Sequence, residues 1–175
     1  MSKKSKFSTR KITYAAIFIA LSVVINSLRI GIISFGGFPI ILSGFALGPG
    51  MGFVVGLLAD FIGFIVRPSS TGTYNIIFGI TSGLTGLIPV VVVAALGDKY
   101  PKFTLWKLLI GILVGQFITS VFIAPYFVDK LFLPGTFVPK MILAAKKQAL
   151  SAPVYAYLSK VLLDVTTKQV NFREL

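Results

Sequence analysis

The chain has 175 residues, of which 55% are hydrophobic and only 13% are charged, and its mean hydropathy is +0.91. A soluble domain cannot bury so much apolar surface, so the composition predicts an integral membrane protein with at most six or so helical spans of about 20 residues each. The absence of cysteine and histidine excludes disulfides, thiolate nucleophiles and the commonest metal ligands.

Apolar segments follow one another along the chain and predict an all-α, polytopic membrane protein with six transmembrane helices. The predicted segments are residues 11–29, 34–47, 51–66, 74–97, 105–126 and 137–164. The second and third segments are short enough to be tilted or partly re-entrant, and Gly48-Pro49-Gly50 separates them. No long linker interrupts the chain, so we expect one membrane domain over residues 1–175, with a basic tail at residues 1–10.

The distribution of the basic residues predicts the orientation in the membrane. The net charge is +12, and with six spans eleven of the seventeen basic residues lie on the side that holds both termini. Basic loops favour the cytoplasm, so both termini are expected there, and the lysines at span ends indicate topology and lipid contact rather than nucleic-acid binding. The other basic residues fall at or near the outer ends of spans: Arg29, Arg67, Lys130, Lys140, Lys146 and Lys147.

These outer cations have few acidic partners in the sequence. Only Asp60 and Asp129 are expected near them, and Lys147 lies about 10 Å deeper along its helix than Lys140 at 1.5 Å per residue. A bound carboxylate or phosphate would balance the excess charge, while water and lipid headgroups contacted by snorkelling side chains explain it equally well.

Two of the predicted helices carry distinct faces. In the first, Ser22, Asn26 and Arg29 form a polar stripe that should face inward, while Ala16 and Ala20 lie roughly opposite. The alanine pair permits close approach of another helix, either within this protein or in a partner. In the last segment one face carries Lys140, Ala144, Lys147, Ser151 and Tyr155, with Gln148 at its edge.

Glycines recur at helical spacing in the third, fourth and fifth segments, which predicts close helix packing around a cavity. Asp60 lies near the middle of the third segment, where it is better suited to accept a structural hydrogen bond than to relay protons, because no histidine is available. Aromatic residues gather at the outer rim, either as an interfacial belt or as a surface for a flat ligand: Phe35, Phe38, Tyr74, Phe78, Tyr126, Phe127 and Phe137.

Several kinds of catalytic signature are missing from the sequence. It contains no phosphate-binding loop of the ATPase type, no nucleophile triad, no metal cluster and no pair of carboxylates. We therefore expect a binding protein and not an enzyme, with no cofactor and no metal, which would depend on a partner for energy if it transports.

The sequence resembles the S components, or substrate-binding subunits, of energy-coupling factor (ECF) vitamin transporters over nearly its whole length. The resemblance rests on the small size, the six segments, the Ala16/Ala20 pair and a polar start to the last helix. It also rests on the stretches RIGIISFGGFPIILSGFALGPGMGFVVGLLADFIGF and TYNIIFGITSGLTGLIP, which look most like the folate branch.

The resemblance implies a multi-pass subunit in a prokaryotic cell membrane that captures a vitamin outside the cell. Such a subunit joins a transmembrane coupling subunit and two cytoplasmic ATPases, and topples in the membrane to release its cargo. By this resemblance Ala16 and Ala20 would face the coupling subunit, and the loop from Ile30 to Phe38 would cover the site.

The resemblance also implies a substrate site at the outer ends of the helices. Arg29 would bind the carboxylate of the vitamin, helped by Lys140 or Lys147. The remaining expected site residues are Phe35, Phe38, Tyr74, Asn75, Phe78, Ser151 and Tyr155.

The identity of the ligand remains open at this point. Folate-type members often have Tyr-Phe-Pro-Gly-Phe where this chain has Tyr-Asn-Ile-Ile-Phe at residues 74–78, and often an arginine near position 140. Folate is the expected ligand, and another anionic vitamin such as pantothenate is the alternative. A stand-alone channel or secondary carrier, with Asp60 as its ion site, is an alternative of another class.

Overall fold

The computed structural model describes residues 9–28, 35–68 and 73–169, and these contain helices and no β-strand. The all-α prediction is therefore confirmed for the described part of the chain. The elements are α1 (Thr9–Leu28), α2 (Gly37–Leu47), α3 (Pro49–Val66), α4 (Ile76–Ala95), α5 (Leu105–Gln116), a π-helical stretch (Phe117–Ile123), α6 (Ala124–Leu131) and α7 (Phe137–Gln169).

The element α5, the π-helical stretch and α6 follow one another without a break, so the described chain forms six helical rods. Four rods are long and apolar enough to cross a membrane: α1, α3, α4 and the continuous rod Leu105–Leu131. Helix α2 is apolar but has only 11 residues, and α7 has 33 residues and carries several lysines.

Most helix ends match the predicted segments within a few residues, and the fifth and sixth segments differ most. They were predicted to end at residues 126 and 164, whereas α6 continues to Leu131 and α7 to Gln169. The turn added to the fifth segment contains Asp129 and Lys130, which lower the hydropathy without ending the helix. Asp129 also orders the next connection, because its Oδ1 atom accepts hydrogen bonds from the backbone N–H groups of Thr136 and Phe137 at 2.7 and 3.0 Å.

The break between the second and third segments is a sharp turn. Gly48 has a φ of +103°, which a residue with a side chain rarely adopts, and Pro49 begins α3 at a position where its missing N–H group costs nothing. Helices α2 and α3 thus run side by side in opposite directions. We call the end of the bundle that holds this turn and the start of α1 the N-terminal pole, and the opposite end the distal pole.

Glycines bring α2, α3 and α4 into backbone contact, as predicted for α3 and α4. A Cβ atom at Gly52 would lie 2.6 Å from both the Gly44 Cα atom and the Gly86 carbonyl oxygen. A Cβ atom at Gly56 would collide with the backbone of Ser82. Helix α4 therefore forms the centre of the bundle, with α1 packed on α2 and α3, and α7 packed on α5 and the π-helical stretch.

Apolar side chains fill the half of the bundle near the N-terminal pole. The fully buried members of this core include Ile41, Phe45, Val93, Leu108, Ile112 and Leu163. Phe103, from the α4–α5 connection, is also buried and closes this pole. Buried polar side chains concentrate instead in the distal half.

Candidate functional site

A cavity of about 180 Å³ lies in the distal half of the bundle. Every helical rod contributes to its wall, and most of the side chains there are polar. The described lining residues are Ser22, Asn26, Gly36, Gly37, Ile40, Ala59, Asp60, Ser82, Thr85, Gln116, Ser120, Gln148 and Tyr155. Polar groups are rare inside membrane bundles unless they line a cavity or a functional site, so this is the candidate site.

Helix α1 contributes Ser22 and Asn26, two members of the polar stripe that its spacing predicts. Ser22 is buried and donates a hydrogen bond to the Gly36 carbonyl oxygen at 2.7 Å. The Asn26 side chain packs so closely on Gly36 that a Cβ atom there would lie 2.7 Å from it. The start of α2 is thereby fixed against α1, while Ala16 and Ala20 are exposed on the outside of α1.

Helices α3 and α4 contribute Asp60, Ser82 and Thr85. Ser82 donates a hydrogen bond to the Oδ1 atom of Asp60 at 3.2 Å, so the carboxylate is an acceptor, as predicted. The hydroxyl groups of Thr85 and Thr119 lie 3.0 Å apart, and Thr119 donates to the Gly115 carbonyl oxygen at 2.8 Å. These bonds tie α3, α4 and α5 together around the cavity.

The π-helical stretch adjoins the cavity. Gln116, the last residue of α5, and Ser120 both line it, and the Ser120 hydroxyl donates to the Gln116 Oε1 atom at 2.6 Å. An added residue per turn rotates the side chains that follow, and such stretches occur frequently at functional sites. Here the local geometry places two polar side chains, four residues apart, on the cavity wall.

Helix α7 contributes Gln148 and Tyr155. Tyr155 is only 2% exposed, and the rings of Phe35 and Phe38 lie against it with centroids 6.1 and 5.7 Å away. Three predicted site residues therefore form an aromatic cluster, of which Tyr155 reaches the cavity. Ser151, a fourth, is buried one turn earlier and donates to the Lys147 carbonyl oxygen at 2.9 Å.

Three other predicted site residues belong to the distal pole but do not line the cavity. Tyr74 packs against the rings of Phe61 and Phe64, each with a centroid distance of 5.3 Å, and its hydroxyl lies at the Asp60 carboxylate. Asn75 caps α4, because its Oδ1 atom accepts a hydrogen bond from the Ile77 N–H group at 3.0 Å. Phe78 stacks on Phe132 at a centroid distance of 5.8 Å.

The predicted cationic residues are not part of the described wall. Arg29, together with residues 30–34 of the loop expected to cover the site, lies outside the described residues. Lys140 and Lys147 are half-buried on α7 and do not line the cavity. Of the lining residues that the structure describes, Asp60 alone carries a formal charge.

The predicted set of site residues omitted much of the wall. Ser82, Thr85 and Ser120 were not singled out, and Ser22, Asn26, Asp60 and Gln148 were noted without a place in that set. Spacing gave a usable signal for some of them, since Ser82 and Thr85 are three residues apart and Gln116 and Ser120 are four apart. Polar residues at those intervals within apolar helices indicate a shared inward face.

Comparison with known proteins identifies the family of this protein. The family model described as ECF transporter, substrate-specific component, matches residues 10–163. A solved structure described as FolT bound with folic acid has a similar fold, with a TM-score of 0.67 and 19% sequence identity, over 90% of this chain and 94% of that chain. No curated protein matches the sequence. Since the family model spans most of the chain, the protein belongs to the family of substrate-specific components of ECF transporters.

Proposed function

We propose that this protein is the high-affinity folate-capture subunit of an ATP-driven ECF importer in a prokaryotic cell membrane. In this proposal six helices cross the membrane, both termini are cytoplasmic, and the distal pole with its cavity faces outward. The family supports the general role, because a substrate-specific component binds the transported compound. Folate is supported by the fold shared with the folic-acid-bound FolT structure.

The observation that carries the proposal is the polar cavity inside an otherwise apolar bundle. Nine of its thirteen described lining residues have polar side chains, although 55% of the chain is hydrophobic. Placing so many hydrogen-bonding groups within a membrane protein is costly unless a ligand or water satisfies them. A site of convergent polar groups beside an aromatic cluster suits a small polar molecule with a flat ring.

The aromatic ring and the carboxylates of folate would contact different parts of the site. The rings of Phe35, Phe38 and Tyr155 offer an apolar surface next to the cavity for an aromatic ring. We propose that Arg29, with Lys140 or Lys147, binds the carboxylates of folate closer to the outer surface, where the chain carries its excess cations. Pantothenate has carboxylate and hydroxyl groups but no ring, so it would leave the aromatic surface unused.

The packing of the other half supports capture and does not support a pore. Between the cavity and the N-terminal pole, Ile41, Phe45 and Ile112 are fully buried within a continuous apolar core. Delivery of the ligand to the cytoplasm would therefore require the partner subunits. We propose that the exposed Ala16 and Ala20 contact the transmembrane coupling subunit, which binds two cytoplasmic ATPases.

The proposal is tested by binding and by transport. Purified protein in detergent should bind folic acid with a stoichiometry near one, and pantothenate should not compete for the site. Mass spectrometry of the compound that co-purifies with the protein gives an independent identification. In proteoliposomes, folate uptake should require the coupling subunit, the ATPases and ATP; uptake by this chain alone would establish a carrier and refute the proposal.

A further inference from the structure

The described part of the cavity wall does not offer the positive charge that an anionic ligand would be expected to need. Folate is an anion, yet Asp60 provides the only formal charge among the described lining residues. A carboxylate within a membrane bundle needs a hydrogen-bond donor or a cationic partner. Among the described residues, no basic side chain forms an ion pair with Asp60.

The protein satisfies only part of the hydrogen-bonding capacity of Asp60. Ser82 donates a hydrogen bond to Oδ1, and the Tyr74 hydroxyl is a second donor at the carboxylate, whereas a carboxylate has about four acceptor sites on its two oxygens. The carboxylate therefore retains acceptor sites where it borders the cavity, available to donors on a bound molecule.

A second hydrogen-bond acceptor on the cavity wall also lacks a donor among the described residues. The Oε1 atom of Gln148 is buried and accepts no hydrogen bond from any residue that the structure describes. Gln116 differs, because its Oε1 atom already accepts from Ser120. An acceptor buried without a donor costs free energy, so its presence beside a cavity indicates that a donor enters with the ligand.

We infer that Asp60 determines the specificity of the site by accepting hydrogen bonds from adjacent N–H groups on the edge of a flat nitrogen heterocycle of the aminopyrimidine type. Gln148 supplies a further acceptor for the same donor-rich group. The inference rests on the proposed function and deepens it, because it assigns the heterocyclic end of the ligand to the cavity wall and leaves the anionic end to the cations outside it.

A metal or inorganic cation is a poorer occupant of the same position. The described residues contain no cluster of three or more acidic or other metal-ligating side chains, and the neighbours of Asp60 on the wall are neutral. Hard cations in proteins are usually held by several oxygen ligands with more than one carboxylate among them. A planar edge with two N–H donors matches a single carboxylate, which can accept both bonds side by side.

The test is a calorimetric titration of the full chain in detergent, as wild type and as Asp60→Asn. The asparagine keeps the size of the side chain and replaces one acceptor by a donor. Asp164→Asn is the matched control, because that acid pairs with Lys160 on the surface near the N-terminal pole. The probes are folic acid, pterin, lumazine, which has an oxo group in place of the 2-amino group of pterin, and p-aminobenzoylglutamate, which lacks the heterocycle.

Asp60→Asn should lower the affinity for folic acid and for pterin by at least about tenfold, as expected for the loss of charge-assisted hydrogen bonds. It should leave any binding of p-aminobenzoylglutamate unchanged. The wild type should prefer pterin to lumazine, and the variant should lose that preference. Equal melting temperatures for the two proteins would show that the change is local.

The outcomes separate the two proposals. If folic acid binds the wild type and Asp60→Asn with equal affinity, the role of Asp60 is refuted and the folate assignment stands. If pterin binds in an Asp60-dependent way but folic acid does not bind, the role of Asp60 stands and the folate assignment fails. If neither compound binds the wild type, both are refuted.

Discussion

The ring of Phe103 packs edge-to-face on the ring of Phe45, with centroids 5.3 Å apart and an interplanar angle of 69°. Phe103 belongs to the connection between α4 and α5, and Phe45 to the last turns of α2. A residue outside the helices thus completes the apolar core at the N-terminal pole. This contact separates the polar cavity from the pole that we assign to the cytoplasm.

Substitution Phe103→Ala should destabilise the protein by about 3–5 kcal/mol, because it removes a buried ring and leaves a cavity beside Phe45. Thermal unfolding in detergent measures the effect. Trp106→Ala is the control, since that ring is 67% exposed and its loss should change the melting temperature little. Equal melting temperatures for both variants would contradict the role of Phe103 in closing the core.

The same connection contains an acid whose pKa depends on folding. Lys107 and the Thr104 N–H group, each 2.6 Å from a carboxylate oxygen, lower the pKa of Asp98 from its ordinary 3.8 to about 2. Because the folded state favours the ionised form, this stabilisation is complete above about pH 4 and is lost as the pH falls towards 2. Asp98→Asn should therefore unfold at a lower temperature than wild type at pH 5, and the difference should shrink near pH 2.5. A difference that stays constant over this range would show that the Asp98 charge has no part in it.

Gly52→Ala should disturb the contact of α3 with α2 and α4. Its methyl group would lie 2.6 Å from two backbone atoms, which cannot move away as a flexible side chain could. Overpacking of this kind costs about 1–3 kcal/mol, seen as a lower melting temperature or a lower yield of monodisperse protein. Gly63→Ala, in the same helix, is the matched control, because nothing lies within 4 Å of its added carbon. Similar losses in both variants would contradict the packing role of Gly52, because alanine is a better helix former than glycine and the space at Gly63 is open.

Arg29→Ala should weaken the binding of folic acid by about 1.5–3 kcal/mol, the range for hydrogen bonds between charged groups. The prediction follows from the expected contact of the guanidinium with a ligand carboxylate, and calorimetric titration measures it. Lys146→Ala is the comparison, since this lysine is exposed on α7. Unchanged affinity in Arg29→Ala would remove that residue from the proposed site.

Ala16→Trp should prevent assembly with the coupling subunit and abolish uptake while folate binding persists. The larger side chain would fill an exposed face on which we expect another helix to pack closely. Co-purification with the coupling subunit measures assembly, and titration measures binding. Leu150→Trp, at an exposed position of α7, should leave assembly intact. Normal assembly of Ala16→Trp would mean that this alanine face has no role in coupling.

The sequence by itself determined the class of structure and the faces of individual helices. Apolar segments as long as α3 and α4 are stable as helices in a membrane, since a helix satisfies its backbone hydrogen bonds within one segment. The spacing of Ser22 and Asn26 was enough to place both on one inward face, because helical geometry fixes which residues share a side. Gly48-Pro49-Gly50 marked a turn for the same local reason.

Only the tertiary structure decided which polar side chains share the cavity. Ser82 meets Asp60 from a different helix, and the π-helical form of the stretch that holds Ser120 had no signature in the sequence. Tyr74 and Phe78 were predicted as site residues, yet neither lines the cavity: Phe78 stacks on Phe132, and Tyr74 packs on Phe61 and Phe64 with its hydroxyl at Asp60. Helical periodicity determines the direction in which a side chain leaves its own helix. The neighbours of that side chain depend instead on how the helices pack. In this protein the glycine contacts between α2, α3 and α4 determine that packing.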